Sequence, residues 1–359
     1  MRIIQIIDSL ESGGAERMAV SYANALAGRI EFSGLVVTRK EGPLLNQIDK
    51  QVSYLYLNKK RAVDFKAILR LRAYVRKNNV TVIHAHSTSF FLAFLLKLSC
   101  PYLSLIWHDH YGDSDFLEKR PMIGLRATAT FFNGIIVVNQ KLKIWAEKEL
   151  KIKNTIYLSN FPAEENIVSD DTKLKGAKGK RIVCLANLRV QKDHFLLLEV
   201  AKKIKIIYPE WSFHLIGKDF YDAYSQQIKN LIVAFDLEEN VFLYGSKQDV
   251  KNILDQSTIA VLASQSEGLP VALLEYGWHK KPVVVTDVGE ISSLVQSGKN
   301  GFVVAAHQNE LFFDAVVKLI GSESLQMNFG QELFQRVVAN HSEEVVIEQY
   351  LNWLDNSPV

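Results

Sequence analysis

The chain has 359 residues, 48% of them hydrophobic and 23% charged, with a net charge of +3. That balance excludes disordered, collagenous and coiled-coil proteins, and the length suits two hydrophobic cores better than one. Only Cys100 and Cys184 are present, which excludes a disulfide framework and points to a reducing cytoplasm.

In the first half, strands are predicted in RIIQIID, FSGLVVT, VSYLYL, VTVIHAH, LSLIWHDH and GIIVVN. Helices are predicted between them, over 15–26, 65–77, 90–98 and 142–150. Such alternation indicates parallel sheets covered on both faces. The apolar run at 90–96, FFLAFLL, falls well short of the roughly 20 residues a membrane span needs. The opening MRIIQIIDSLESGG lacks the apolar core and cleavage site of a signal peptide.

From 160 to 180 the chain is polar and aperiodic, as a linker would be. A second series follows: strands in RIVCLANL, SFHLIGK, VFLYG, TIAVLAS, PVVVTD and GFVV, and helices over 195–207, 224–235, 250–254 and 272–278. The tail, 310–355, is expected to be wholly helical. The fold class expected is α/β, two doubly wound Rossmann-like domains facing across a cleft, with ligands outside the carboxyl ends of the strands. The domains are expected at 1–160 and 181–340, joined by a linker at 161–180. A C-terminal helix at 341–359 is expected to pack back on the first domain.

The charge is uneven. Residues 1–160 carry 23 Lys and Arg against 13 Asp and Glu, a net +10, whereas residues 161–359 carry 19 against 26, a net −7. A basic half suggests an anionic partner on one side only, either nucleic acid or a membrane surface; the plain alternative is solubility. No nucleic-acid-binding motif accompanies it, so nucleic acid is not an expected partner.

Three places can carry chemistry. After the first strand, SLESGGAER brings Gly13 and Gly14 to the start of a helix, where backbone N–H groups can meet phosphate or sugar oxygens. The spacing is neither a dinucleotide fingerprint nor a Walker loop, and a flexible turn would look the same. Next, His84 with His86, and His108 with Asp109 and His110, stand at two probable strand ends. Period two puts each histidine pair on one face, fit for a metal or, more simply, for hydrogen bonds at a cleft rim. No third cluster accompanies them, so no metal is assigned.

The strongest signal is ASQSEGLPVALLEYGW within residues 263–304. A strand gives way to a loop with Glu267 and Gly268, Pro270 suits the first helical turn, and Glu275 follows. Eight positions span up to about 12 Å along a helix, so one carboxylate can hold sugar hydroxyls and the other a ribose. Helical N–H groups between them can face phosphate. Two solvated glutamates are a poor alternative, because an unpaired Glu275 in so apolar a run would be costly.

This segment resembles the nucleotide-sugar site of the family 4 glycosyltransferases, retaining enzymes of the GT-B fold, with two glutamates eight positions apart in the context S-E-G-x-P. The resemblance extends through GGAER, IHAH, LIWHDH, NLRVQKDH, LIGKD, VFLYG and GKNGFVV, in order, over nearly the whole chain. It implies that Glu275 holds the nucleotide ribose and Glu267 the hydroxyls of the transferred sugar. Gly268 and Leu269 would lend N–H groups near the diphosphate, Lys192 would neutralise it, and Gly13, Gly14 and Asn187 would join the donor site. His108 would sit beside the donor sugar. The family's usual G-R-L is A-N-L here, with Ala186 and Asn187 in the first two places, so the phosphate role of the missing arginine passes to Arg189.

The implied reaction is sugar transfer with retention from a nucleotide-diphosphate sugar, expected to be a UDP-sugar. The acceptor would be a glycan or a lipid-linked molecule bound by the basic first domain, in bacterial surface polysaccharide synthesis. Front-side attack needs no protein nucleophile, and cations with helix N-termini stabilise the leaving diphosphate, so neither a metal nor another cofactor is expected. The expected location is the cytoplasm, peripherally on the inner face of the cell membrane. The alternatives are a nucleotide-sugar epimerase of the same fold and a His/Asp metallohydrolase.

Overall fold

The computed structural model of the chain describes residues 1–112, 114, 116–162 and 171–356. It divides into two units, Met1–Ala163 with Glu343–Val359, and Glu164–Ser342.

Unit 1 is built on seven strands: β1 (Arg2–Ser9), β2 (Phe32–Lys40), β3 (Ser53–Tyr56), β4 (Val82–His86), β5 (Ser104–Asp109), β6 (Gly134–Val137) and β7 (Thr155–Tyr157). They lie in the order β3-β2-β1-β4-β5-β6-β7, every pairing parallel. Strands β4 and β5 are buried along their whole length, as parallel strands covered on both faces must be. The crossovers carry helices α1 (Gly14–Ala27), α2 (Phe65–Lys77), α3 (Phe90–Ser99), α4 (Ile123–Ala129) and α5 (Gln140–Glu149). Helix α2 shows the logic of the crossovers. Asp64 caps it by accepting from Ala67 N, while Ala67, Leu71 and Val75 recur every fourth residue and face the core.

Unit 2 repeats the design with β8 (Arg181–Leu185), β9 (Ser212–Ile216), β10 (Val241–Gly245), β11 (Ile259–Leu262), β12 (Val283–Thr286) and β13 (Phe302–Val304). The order is β10-β9-β8-β11-β12-β13, again parallel throughout. Its helices are α6 (His194–Ile207), α7 (Ala223–Ala234), α8 (Val250–Asp255), α9 (Val271–Trp278), α10 (Ile291–Leu294), α11 (Asn309–Ile320) and α12 (Glu323–His341). Both sheets reverse direction beside their first strand, between β1 and β4 and between β8 and β11. Open parallel sheets bind ligands at such points.

The structure departs from the sequence-based expectation in three places. The tail is helical but broken into three helices: Gly321 ends α11, Ser322 caps α12 by accepting from Leu325 N, and extended Ser342 separates α12 from α13 (Glu343–Asn356). Helix α13 packs in unit 1, where the Trp353 indole donates to Asn154 Oδ1 at 2.9 Å. Short elements α4, β7 and α10 have too few residues to show a period. Of the expected linker, residues 163–170 lie outside the described residues. From Asp171 the chain is tied down on unit 2: Thr172 donates its N–H and hydroxyl to Asp249, at 2.9 and 2.8 Å, and Leu174 is buried.

Candidate active site

In unit 2 the two loops at the switch point meet. The loop after β8 carries Asn187, Arg189 and Lys192, and the loop after β11 carries Ser264, Glu267, Gly268 and Leu269. Glu267 is only 6% exposed, and its Oε1 takes both the Lys192 ammonium and the Ser264 hydroxyl, the latter at 2.6 Å. A carboxylate so deep requires this pairing, because an unpaired buried charge is strongly unfavourable.

The loops are fixed by further bonds. Gln265 N donates to Gln191 O at 2.8 Å, and the Gln265 amide donates to Asp193 Oδ2 at 3.0 Å. Asp193 adopts φ 46°, a left-handed turn that lets it cap α6 through Leu196 N. Two glycines are obligatory here. At Gly217 a Cβ would lie 2.0 Å from Ala186 O. Gly289, at φ +57°, lets its backbone pass Glu267, where a Cβ would lie 2.2 Å from the carbonyl oxygen. Beside it Glu290 N donates to Gly268 O at 2.9 Å.

The sequence-predicted donor residues fall into distinct settings. Pro270 immediately precedes α9, and Glu275 lies half-buried within that helix. Both glutamates stand close enough to the buried Tyr276 to raise its phenol pKa, after burial, the main cause. Tyr276 accepts from Leu185 N at 2.6 Å, joining α9 to the end of β8. Asn187 accepts from Lys218 N at 2.7 Å and so braces the loop. Arg189 is exposed, its guanidinium 4.7 Å over the Phe220 ring, and the structure does not bring it to the Lys192–Glu267 pair. Burial pushes the Cys184 thiol up to about 12, so it is no nucleophile.

In unit 1, Gly13 precedes α1 and Gly14 begins it, exposed, with open space where a Cβ would stand. The histidines are not at a rim. His84 and His86 are fully buried and His108 is 1% exposed. They form two hydrogen-bonded pairs stacked on one another. His84 Nε2 meets His108 Nδ1 at 3.1 Å with ring planes 17° apart, and His86 Nδ1 meets His110 Nε2 at 2.9 Å with planes 15° apart. His84 stacks on His86 at 4.4 Å and His108 on His110 at 3.9 Å. Gln5 Oε1 holds His86 Nε2 at 2.8 Å, and the Tyr22 ring stands edge-on to His84 and His108. Burial, with help from neighbouring imidazoles, holds His84, His86 and His108 neutral, their pKa values well below the ordinary one.

Nitrogens of His84, His86 and His108 lie within 4.8 Å of one another, which a metal could use. Stacking opposes it. Ligand lone pairs lie in the ring plane, and planes 17–34° apart aim them nearly parallel instead of at one point. Both nitrogens of His86 are also already engaged, by His110 and Gln5.

Asp109, between the two histidines, forms a buried bidentate pair with Arg120 at 2.6 and 2.7 Å. The Arg120 guanidinium also lies 4.4 Å from the Tyr111 ring and 4.3 Å from that of Trp145. This fastens the chain just beyond His108. Sequence reasoning missed Ser264, Asp193 and Arg120; only Ser264 and Asp193 adjoin a motif that could have signalled them.

Two family descriptions match the chain: Glycosyl transferases group 1 over residues 139–336 and Glycosyltransferase Family 4 over residues 12–158. Among similar proteins, an uncharacterized glycosyltransferase of Haemophilus influenzae is 24% identical over 349 residues, 94% of this chain and 95% of its own. An Escherichia coli UDP-Gal:alpha-D-GlcNAc-diphosphoundecaprenol alpha-1,3-galactosyltransferase is 22% identical over 337 residues, 88% of this chain and 86% of its own. HepE of Anabaena, solved with UDP and glucose, superposes with a TM-score of 0.82 at 15% identity, covering 99% of each chain. At that identity the superposition speaks for the fold alone. With the two matches together spanning residues 12–336, the chain belongs to the family 4 glycosyltransferases and has their GT-B fold.

Proposed function

We propose that this glycosyltransferase moves a sugar with retention of configuration from a UDP-sugar to a glycan or lipid-linked acceptor of the bacterial surface. The observation that carries the reading is the buried Glu267, held by Lys192 and Ser264 where two loops meet at the unit 2 switch point. In this reading Glu267 binds sugar hydroxyls and Glu275 the ribose. Lys192 turns from Glu267 towards the departing diphosphate, with Arg189 swinging in from Phe220. Charge that develops on a leaving group is best met by cations already in place. His108, 1% exposed in the structure, is uncovered to meet the donor sugar as a neutral imidazole, and Gly13 and Gly14 keep the N-terminus of α1 open to phosphate. No metal takes part.

Relatives support the acceptor class. Besides the E. coli galactosyltransferase, a Campylobacter jejuni relative, 23% identical over 358 residues, is an N-acetyl-D-galactosaminyltransferase acting on a diNAcBac-PP-undecaprenol glycan. No helix among the described residues is long and apolar enough to cross a membrane. We place the enzyme peripherally, on the anionic inner leaflet, through Lys60, Arg61 and Lys66 beside the exposed Phe65 and Leu69. Each cation near such a surface contributes about 1 kcal/mol.

The test is a panel of UDP- and GDP-sugars assayed for donor hydrolysis, with the anomeric configuration of the first product read by NMR. Turnover of a UDP-sugar giving the α-anomer from an α-donor is expected. An inverted product, or exclusive use of GDP-sugars, would refute the corresponding half of the proposal.

A further inference from the structure

Lys59 opens the basic string Lys59-Lys60-Arg61, and in sequence it reads as one more solvated cation. The structure buries it. Asn58 turns in the left-handed region at φ 48°, and Lys59 N then donates to Thr38 O, extending the edge of the sheet past β3. Lys59 is 6% exposed, and among the described residues its ammonium has neither a hydrogen bond nor a close ion pair. The stem is covered while the ammonium is not among the sealed, unpartnered polar atoms.

The carboxylates within reach of its charge are spent elsewhere. Asp8, at the end of β1, takes the hydroxyl of Thr38 from β2 on one oxygen and that of Thr88, just beyond β4, on the other, the latter at 2.6 Å. Asp8 also pairs loosely with Arg39, Nε to Oδ1 at 3.7 Å. Asp64 is taken by the start of α2, accepting from Ala67 N at 3.1 Å and Lys60 N at 3.2 Å. Arg39 is thus only loosely paired, and Lys59, held by its backbone at neighbouring Thr38, has no close carboxylate among the described residues, beside the unit 1 switch point where parallel sheets take ligands. Burial depresses the Lys59 pKa and Arg39 lowers it further, against Asp8 and Asp64, which raise it. An anionic ligand would relieve both effects.

We infer that Lys59 and Arg39 form a subsite for a phosphoryl group carried by the acceptor. The inference rests on the reading of unit 1 as the acceptor side and narrows it to phosphorylated acceptors.

Competitive labelling of lysines with acetic anhydride, read by peptide mass spectrometry, tests the subsite without any turnover. Millimolar inorganic pyrophosphate should slow labelling of Lys59 several-fold and leave the exposed Lys178 unchanged, while chloride at equal ionic strength does nothing. Loss of reactivity at both lysines, or at neither, overturns the subsite. If UDP protects Lys59 as well as pyrophosphate does, the group belongs to the donor and the inference fails. The same holds for phosphatidylglycerol vesicles, which would make it a lipid headgroup contact. With a phosphorylated acceptor, Lys59→Gln and Arg39→Gln should raise KM about 10- to 150-fold, the range for a charge-assisted hydrogen bond, and Lys59→Arg should restore most of it. Protection of Lys59 in a protein that turns over no sugar nucleotide would sink the transfer reading and leave the anion subsite standing.

Discussion

Lowering the pH from 7 to 5.5 should loosen unit 1 through its stacked imidazoles. His84, His86 and His108 are buried and neutral, with pKa values held well below the ordinary one. In the unfolded chain each titrates near about 6.5. Because the folded value is the lower one, the stability is fully present above about pH 6.5 and is lost as the pH falls towards the folded values. For each ring the loss between pH 7 and 5.5 is on the order of 1 kcal/mol, so the three together lose a few kcal/mol, against a typical domain stability of roughly 5–15 kcal/mol. His110, lowered to about 3, acts in the same direction. Unit 2 has acid-sensitive histidines of its own, with burial lowering His194 to about 4 and His214 to about 3. The assay must therefore resolve the units. Hydrogen exchange in urea, read on peptides covering β4 and β5 from pH 7 to 5.5, does so. His86→Gln removes one titrating ring and should make the loss shallower by on the order of 1 kcal/mol, whatever it costs at pH 7. Constant stability over this range, or parallel wild-type and His86→Gln curves, would refute the reasoning.

Glu275→Ala should weaken UDP binding about 10- to 150-fold by calorimetry, the cost of a lost charge-assisted hydrogen bond; unchanged affinity would remove Glu275 from the ribose site. Lys192→Gln should lower kcat about 100- to 1,000-fold with little change in donor KM, as for a group that stabilises the transition state, while Arg189→Gln, starting from its place on Phe220, should cost less. An arginine variant as damaged as the lysine variant would show that Arg189 does reach the diphosphate. Enzyme treated with EDTA should keep full activity and His108→Asn should lose most of it; activity lost to the chelator and regained with zinc or manganese would reverse the reading of the stacked histidines. Gly289→Ala should cost more than about 1 kcal/mol in urea melts, because φ +57° and the Glu267 carbonyl both exclude a side chain, and an unaffected midpoint would contradict this.

Much of the fold was legible because buried parallel strands read as short apolar runs, and β11, β12 and their partners stand out against the helices between them. Glu267, Pro270 and Glu275 were legible for a related reason, since a carboxylate inside so apolar a segment needs a purpose. What stayed hidden depends on contacts across the sheet. Period two places His84 beside His86, but the β4–β5 register sets His86 opposite His108, and only that register brings the two pairs into a stack. Tyr350, 5.2 Å from His84, comes from the far end of the chain and carries no local signal. The burial of Lys59 was not legible because it turns on one left-handed residue, Asn58, and on an edge that exists only once β2 and β3 pair.

The two sheets share one order over six strands, to which unit 1 adds β7, and carry different electrostatics at corresponding points. Where β1 meets β4, unit 1 gathers neutral imidazoles, although its half of the sequence is the basic one. Where β8 meets β11, unit 2 places Lys192 against a buried carboxylate, although its half carries the net negative charge. Net charge along the sequence therefore does not locate the chemistry. Surface charges are screened over about 8 Å at physiological ionic strength, whereas a half-buried ammonium within hydrogen-bonding distance acts almost unscreened. A single well-placed lysine can thus outweigh the net negative charge of its half of the sequence for an anion beside it.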